Sequence, residues 1–232
     1  MKKKSAAFTL IELLVVISII AVLAGIALPV YTQVQERGAQ TKDLSNAKQI
    51  GLGLKLYAGD NDGLFPTATV GTGGGGQGGS GTSNDAFAKL IPQYVPTEKI
   101  FYLAKSKWTP TQPDEVFGTQ SDGSPASTNL AAGENNFAYV SNLTDTSNPN
   151  LPLIADGFAA GTPGTYTNDE TAKGGVWKGK KAIVVRADLS AAVEKCNNAY
   201  KVMGKTGTTQ DADIFASSDS WLSPTQTALN PK

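Results

Sequence analysis

The sequence predicts an α+β protein, a long helix followed by a small antiparallel sheet. Three observations carry that expectation. Residues 8–28 are almost wholly apolar, and helical spacing continues to about residue 58. Beyond residue 99 the chain breaks into short β-branched and aromatic runs between turn residues.

The apolar run fixes the first element. From Phe8 to Leu28 its clearly polar residues are Thr9, Glu12 and Ser18. About 20 residues at about 1.5 Å rise match a hydrocarbon core roughly 30 Å thick. Thr and Ser hydroxyls can bond a carbonyl one turn back, so they disturb the run little. Lys2, Lys3 and Lys4 precede it, and flanking positive charge stays cytoplasmic. Residues 1–7 therefore read as a cytoplasmic leader, 8–28 as one membrane span, and the remainder as lying outside the cytoplasmic membrane. A secretory signal peptide would pair a shorter apolar stretch with a small-residue cleavage site. Here Ala24-Gly25-Ile26-Ala27 is followed almost at once by Pro29 and more helical pattern.

Residues 29–58 form the exposed half of the same helix. Leu44, Ala47, Ile50, Leu54 and Tyr57 recur at intervals of three and four and make one stripe. Gly51 and Gly53 should each weaken the helix by roughly 1 kcal/mol relative to alanine. Pro29 removes one backbone bond and should bend it. Gly59 with the following Asp60-Asn61-Asp62-Gly63 should end it, giving a helix of about 50 residues, or about 75 Å.

The stretch AFTLIELLVVISIIAVLAGIALPVY, starting at Ala7, resembles the N-terminus of type IV prepilins and type II secretion pseudopilins. The resemblance implies cleavage between Ala7 and Phe8 by prepilin peptidase and N-methylation of Phe8. Ala7 stands where the family usually has glycine. Glu12 matches the family's glutamate, which acts in assembly, and Pro29 its helix-bending proline. The family also implies partners: other pilins and further copies of this chain, an assembly ATPase and a membrane platform protein.

Physical chemistry gives Glu12 a reason to be there. A charge within a membrane helix costs roughly 2.5–3.5 kcal/mol on insertion scales. Cleavage before Phe8 would expose an amine at the membrane edge, beside the positive end of its own helix dipole. Glu12 of a neighbouring subunit could pair with it, gaining about 4 kcal/mol at about 4 Å and an effective dielectric near 20. Such a pair would also set the stagger between subunits. The competing reading has Glu12 snorkelling to the headgroups from near the start of the run.

Composition bounds the rest. Residues 59–232 suffice for one modest globular α+β domain. Lys plus Arg is 20 and Asp plus Glu is 20; a leader that takes three lysines with it leaves the chain net acidic, which argues against nucleic acid as a partner. There is no histidine, which removes histidine-based triads and HExxH zinc sites. The single cysteine, Cys196, reads as a small buried residue, with an intersubunit bridge as the alternative. No enzyme chemistry emerges.

The outer domain begins with LKLYAGDNDGLFPT and, further on, DAFAKLIPQYVP. Major pseudopilins show a similar order of helix end, turn, aromatic-proline pair and short helix. Between these segments, residues 71–81 are glycine-rich and lack the GK[ST] of a phosphate-binding loop, so they read as a flexible loop. NNFAYVSNL, LPLIADGFA and KKAIVVRADLSAAVE read as strands, with a turn at Trp177–Lys181 and a loop over 118–134. The last of them resembles a strand-turn-strand of large prepilin-like proteins, without that family's glycine and histidine in the turn.

Calcium is the one cofactor that the sequence suggests. Asp211, Asp213 and Asp219 lie in a loop-rich stretch similar to the calcium-binding loop of major pseudopilins. Serine hydroxyls and carbonyls would have to complete a shell of six to eight oxygens; solvated turn aspartates are the alternative. Two functions stay open. One is a structural subunit that polymerises into a helical filament, for protein secretion or as a surface pilus. The other is a monomeric membrane-anchored module whose extracytoplasmic domain recognises a ligand.

Overall fold

The computed structural model describes residues 9–68, 81–121, 123–206, 210–217 and 221–232. The glycine-rich residues 71–80 lie outside that set, as does the leader. The chain divides into two compact units, Met1–Lys42 and Asp43–Lys232.

One helix, α1, runs Leu10–Asp60. Pro29 lies within its continuous backbone. The helix continues through Gly59; the residues that end it by adopting positive φ are Asp62 and Gly63. The Gly63 amide turns back to the Ala58 carbonyl at 2.8 Å and the Asn61 side-chain amide bonds the Tyr57 carbonyl at 2.8 Å. Together they satisfy carbonyls that a helix end leaves open.

In the second unit, Asp43–Asp60 of α1 presents the predicted stripe. Ala47, Ile50, Leu54 and Ala58 are fully buried, while Leu44 and Tyr57 are half-buried. Full burial of a leucine or isoleucine contributes roughly 1.5–3 kcal/mol each. Gly51 and Gly53 are buried on this face too. A Cβ on Gly53 would meet Val95 Cγ2 at 2.7 Å, and one on Gly51 would meet Leu189 Cδ2 at 3.0 Å and Val185 Cγ1 at 3.4 Å. The two glycines weaken the helix locally, but they let it approach the sheet and the segment after α2 more closely than alanine would.

After α1 come the short helix α2 (Ser83–Phe87), a 3₁₀ turn (Ala88–Leu90), a second one (Glu98–Phe101) and a third (Ser127–Asn129). Among the described residues seven strands follow: β1 (Phe137–Val140), β2 (Pro152–Asp156), β3 (Lys181–Arg186), β4 (Ala191–Lys195), β5 (Met203–Thr206), β6 (Gln210–Asp213) and β7 (Ala228–Leu229). The main sheet has the order β4-β3-β2-β1-β7, with every neighbouring pair antiparallel. β5 and β6 make a separate hairpin. The turn expected at Trp177–Lys181 is present, with Lys178 and Gly179 at positive φ just before β3.

Tyr139 and Ile154 are partners in register on β1 and β2, so they share a face. Gly51 of α1 comes within reach of Ile154, and the Phe87 ring of α2 packs edge-on to Tyr139 at 5.4 Å. One face of the sheet is therefore covered by the last turns of α1 together with α2. β1 and β2 have no exposed position, whereas β4 is mostly exposed. Runs such as FAYV and PLIAD fit that double burial, being apolar nearly throughout rather than alternating.

Candidate functional site

In the first unit the described part, from Leu10 to Lys42, is helical. Its large apolar side chains from Leu10 to Val34 are 48–87% exposed, and no part of its most apolar 18-residue window is buried within the chain. Composition explains this: an apolar surface all round a helix belongs in lipid or against other helices, not in water. The helix is long and apolar enough to cross a membrane.

At its start Glu12 is held by Thr9. One carboxylate oxygen, Oε2, accepts from the Thr9 backbone amide at 2.8 Å and from the Thr9 hydroxyl at 2.7 Å. The Thr9 Oγ1 in turn accepts from the Glu12 amide at 3.3 Å. This is a capping box, the reciprocal use of a Thr and a Glu three residues apart to satisfy orphan amides at a helix start. Glu12 is thus oriented before any partner arrives. Further on, Ser18 returns its hydroxyl to the Leu14 carbonyl at 2.7 Å, so it adds no unsatisfied donor to the apolar surface.

Residues 2–28 match the prokaryotic N-terminal methylation motif. The chain bears the signature of a type IV prepilin or pseudopilin. The motif supports a prepilin-like substrate of prepilin peptidase, and the N-terminal helix, long and apolar enough to cross a membrane, fits anchoring in the inner membrane. The match spans the basic leader and the apolar run and stops one residue short of Pro29. No curated protein and no solved structure matches the chain. Ala7 and Phe8, the residues expected to flank the prepilin cleavage, lie outside the described set. Glu12 lies inside the motif, four residues after Phe8.

The second unit holds the other charged sites. Asp211 and Asp213 lie on β6 in what the sequence suggested was loop, and Asp219 is outside the described residues. Asp211 is exposed and pairs in register with Lys205. Asp213 is buried; its Oδ2 meets Lys201 Nζ at 2.9 Å and its Oδ1 accepts from the Phe215 amide at 3.0 Å. The structure therefore gives both a place in the β5–β6 hairpin.

Two groupings that the sequence did not announce lie elsewhere. Asp156, at the end of β2, is fully buried. Its Oδ2 accepts from Trp177 Nε1 at 2.8 Å and from the Ile183 amide at 2.7 Å, and its Oδ1 from Asn136 Nδ2 at 3.0 Å. The Asp43 side chain from α1 also bonds it. Burial raises the Asp156 carboxyl above the ordinary range, against the pull of these donors. A hydrogen bond between two carboxyl groups needs one proton between them, and burial favours keeping it. With no open surface at Asp156, the pair works as a tie between helix and sheet. Cys196 is half-buried, and burial followed by the charge of Asp156 pushes its thiol up to about 12. It is not a reactive thiolate.

The second grouping is Glu98, Asp114 and Glu134. One carboxylate oxygen of each lies within 4.8 Å of the others. Glu98 and Glu134 are buried and Asp114 is exposed. Burial, opposed by a hydrogen bond from the Glu115 amide and reinforced by the charges of Glu134, Asp114 and Glu115, pushes the Glu98 carboxyl up to about 7.

Proposed function

We propose that this chain is a structural subunit that polymerises through its N-terminal helix into a helical filament. Prepilin peptidase removes residues 1–7, and Phe8 becomes the methylated N-terminus. The outer domain faces away from the cytoplasm, and assembly draws on other pilins, an assembly ATPase and a platform protein. The filament serves protein secretion or forms a surface pilus.

The observation that carries this reading is a carboxylate fixed at the head of an otherwise apolar and unpartnered helix, inside the methylation motif. A simple anchor has no use for the charge of Glu12 beyond the helix cap. A filament subunit does: its neighbour brings a terminal amine to the same depth, and the apolar sides of packed helices cover one another. The methylation motif favours a structural subunit over an enzyme.

Electron microscopy of sheared and membrane fractions from cells expressing the full chain with its assembly machinery tests the reading. Filaments labelled by an antibody to the outer domain are expected. If the processed protein stays entirely in the membrane as a monomer, the anchored-module reading replaces it.

A further inference from the structure

Three chain segments meet at the Glu98 cluster. Glu98 opens the second 3₁₀ turn, capped by Thr97, whose Oγ1 accepts from the Lys99 amide at 3.2 Å. Asp114 lies in an extended stretch, and Glu134 in the turn that leads into β1. A backbone amide aims each carboxylate. Glu98 Oε2 accepts from Glu115 N at 3.0 Å, Asp114 Oδ1 from Val116 N at 2.9 Å, and Glu134 Oε2 from Ala131 N at 2.7 Å. These bonds orient the groups without neutralising them.

Among the described residues no ion pair engages any of the three. The nearby cation, Lys99, is bound to Glu115 instead, which Thr97 Oγ1 also holds. Glu115 takes positive φ at this point, φ 56°, and its amide remains directed at Glu98.

Glu98 supplies the second, independent observation. It is completely buried, and its Oε1 has no hydrogen-bond partner among the described residues. A buried carboxylate oxygen left bare, beside two further acids, is unfavourable unless something positive occupies the space between them. The three oxygens lie within 4.8 Å of one another, close enough for one ion to reach all of them at calcium–oxygen bonds of about 2.3–2.6 Å.

We propose that Glu98, Asp114 and Glu134 form a calcium site in the outer domain. The donors are all oxygen, which selects a hard cation, and the chain has no histidine for a softer one. Exposed Asp114 leaves an approach from solvent, and water completes the six to eight ligands that calcium takes in irregular geometry. Magnesium holds its own water in a tight octahedron and gains less from three carboxylates held in fixed positions. The site joins the second 3₁₀ turn, the 114–116 stretch and the entry to β1. It is separate from the β5–β6 hairpin that carries Asp211 and Asp213, and it does not depend on filament assembly.

The test is titration calorimetry of the purified full chain in detergent micelles with calcium chloride, beside thermal melting with calcium, magnesium or a chelator. The expected result is one calcium bound per chain, with a melting midpoint raised by calcium and not by magnesium. Glu98→Gln, which keeps the acceptor for Glu115 N, and Asp114→Asn, at an exposed position, should each weaken calcium binding at least tenfold. Asp213→Asn should leave it unchanged. Absence of calcium binding overturns the proposal, as does binding that survives both Glu98→Gln and Asp114→Asn or is lost in Asp213→Asn. An equal response to magnesium overturns the assignment to calcium.

Discussion

Glu12 has two physical jobs available to it, and one set of substitutions separates them. It caps the helix start through Thr9, and in the filament reading it neutralises a neighbour's terminal amine. Glu12→Gln keeps the first and deletes the second, because glutamine serves equally well at the third position of a capping box. Thr9→Val does the reverse, removing the two bonds made by the Thr9 hydroxyl while leaving the charge and its bond from the backbone amide of residue 9. Loss of the charge pair should cost about 4 kcal/mol at about 4 Å and an effective dielectric near 20. That is roughly a thousandfold in subunit association. Loss of the cap should cost about 0.5–2 kcal/mol of helix stability. The charge also opposes membrane insertion, by up to about 2.5–3.5 kcal/mol at a helix centre. Glu12→Gln and Glu12→Val should therefore hold or raise the inserted monomer while abolishing filaments, and Thr9→Val should reduce filaments only modestly. The assay is filament yield in the sheared fraction beside inserted monomer for each variant. Glu12→Gln assembling at the normal level would refute the charge-pair argument and leave Glu12 as a cap.

Other expectations are more local. Mass spectrometry of the membrane-extracted protein should show a mature chain beginning at monomethylated Phe8, and an intact Met1 or a cut after Ala27 would contradict the proposed processing. Gly53→Ala gains about 1 kcal/mol of helix propensity but drives a Cβ to 2.7 Å from Val95. Overpacking of this kind costs typically 1–3 kcal/mol, so the melting midpoint should fall or stay level. Gly59→Ala, with nothing within 4 Å, should raise it. The pH response follows from Asp156, whose folded-state carboxyl is raised by burial. Between its unfolded value, about 3.9, and that raised value the folded state binds more protons. This pair's contribution to stability is therefore full below about pH 4 and is lost as pH rises through the folded value, by up to about 1.4 kcal/mol per pH unit. Asp43→Asn supplies a permanent donor and should flatten that slope in melts across pH; an unchanged slope would mean that another group sets it.

Much of this was legible in the sequence because the signals are local. The span, the stripe at Ala47, Ile50 and Leu54, and the apolar strands β1, β2 and β3 each show within a short window. The capping box was not read from the sequence, which suggested that the Thr9 hydroxyl bonds a carbonyl one turn back, although its signal is there, a Thr three residues before a Glu at the head of an apolar run. β5 and β6 escaped notice. MGKT and QDAD are polar runs held by pairing with each other, so hydrophobic periodicity does not mark them. Asp43 and Asn46 lie on the buried side of α1, where periodicity alone would have placed apolar residues. The partner that makes Asp43 tolerable there, Asp156, is far along the chain. Gly51 and Gly53 look like helix breakers until Val95 and Leu189 are seen against them. The Glu98 cluster is the extreme case: three separated acids become neighbours only when the 3₁₀ turns and the approach to β1 are folded together.

The sheet's order also sets a clock. β1 is flanked by β2, which follows it closely, and by β7, which arrives near the end of the described chain. Next to β1, the Ser141 amide bonds the Thr227 carbonyl, and 86 residues separate the two. At a synthesis rate of about 5–20 residues per second, that edge of β1 stays open for about 4–17 s after Ser141 has been made. An open strand edge invites pairing with whatever strand is near, and copies of one chain emerging together offer each other the same edge. Delivery of this chain is therefore timed against its own last strand, and slowing elongation over residues 142–227 should lower the yield of folded subunit more than the same delay placed before β1.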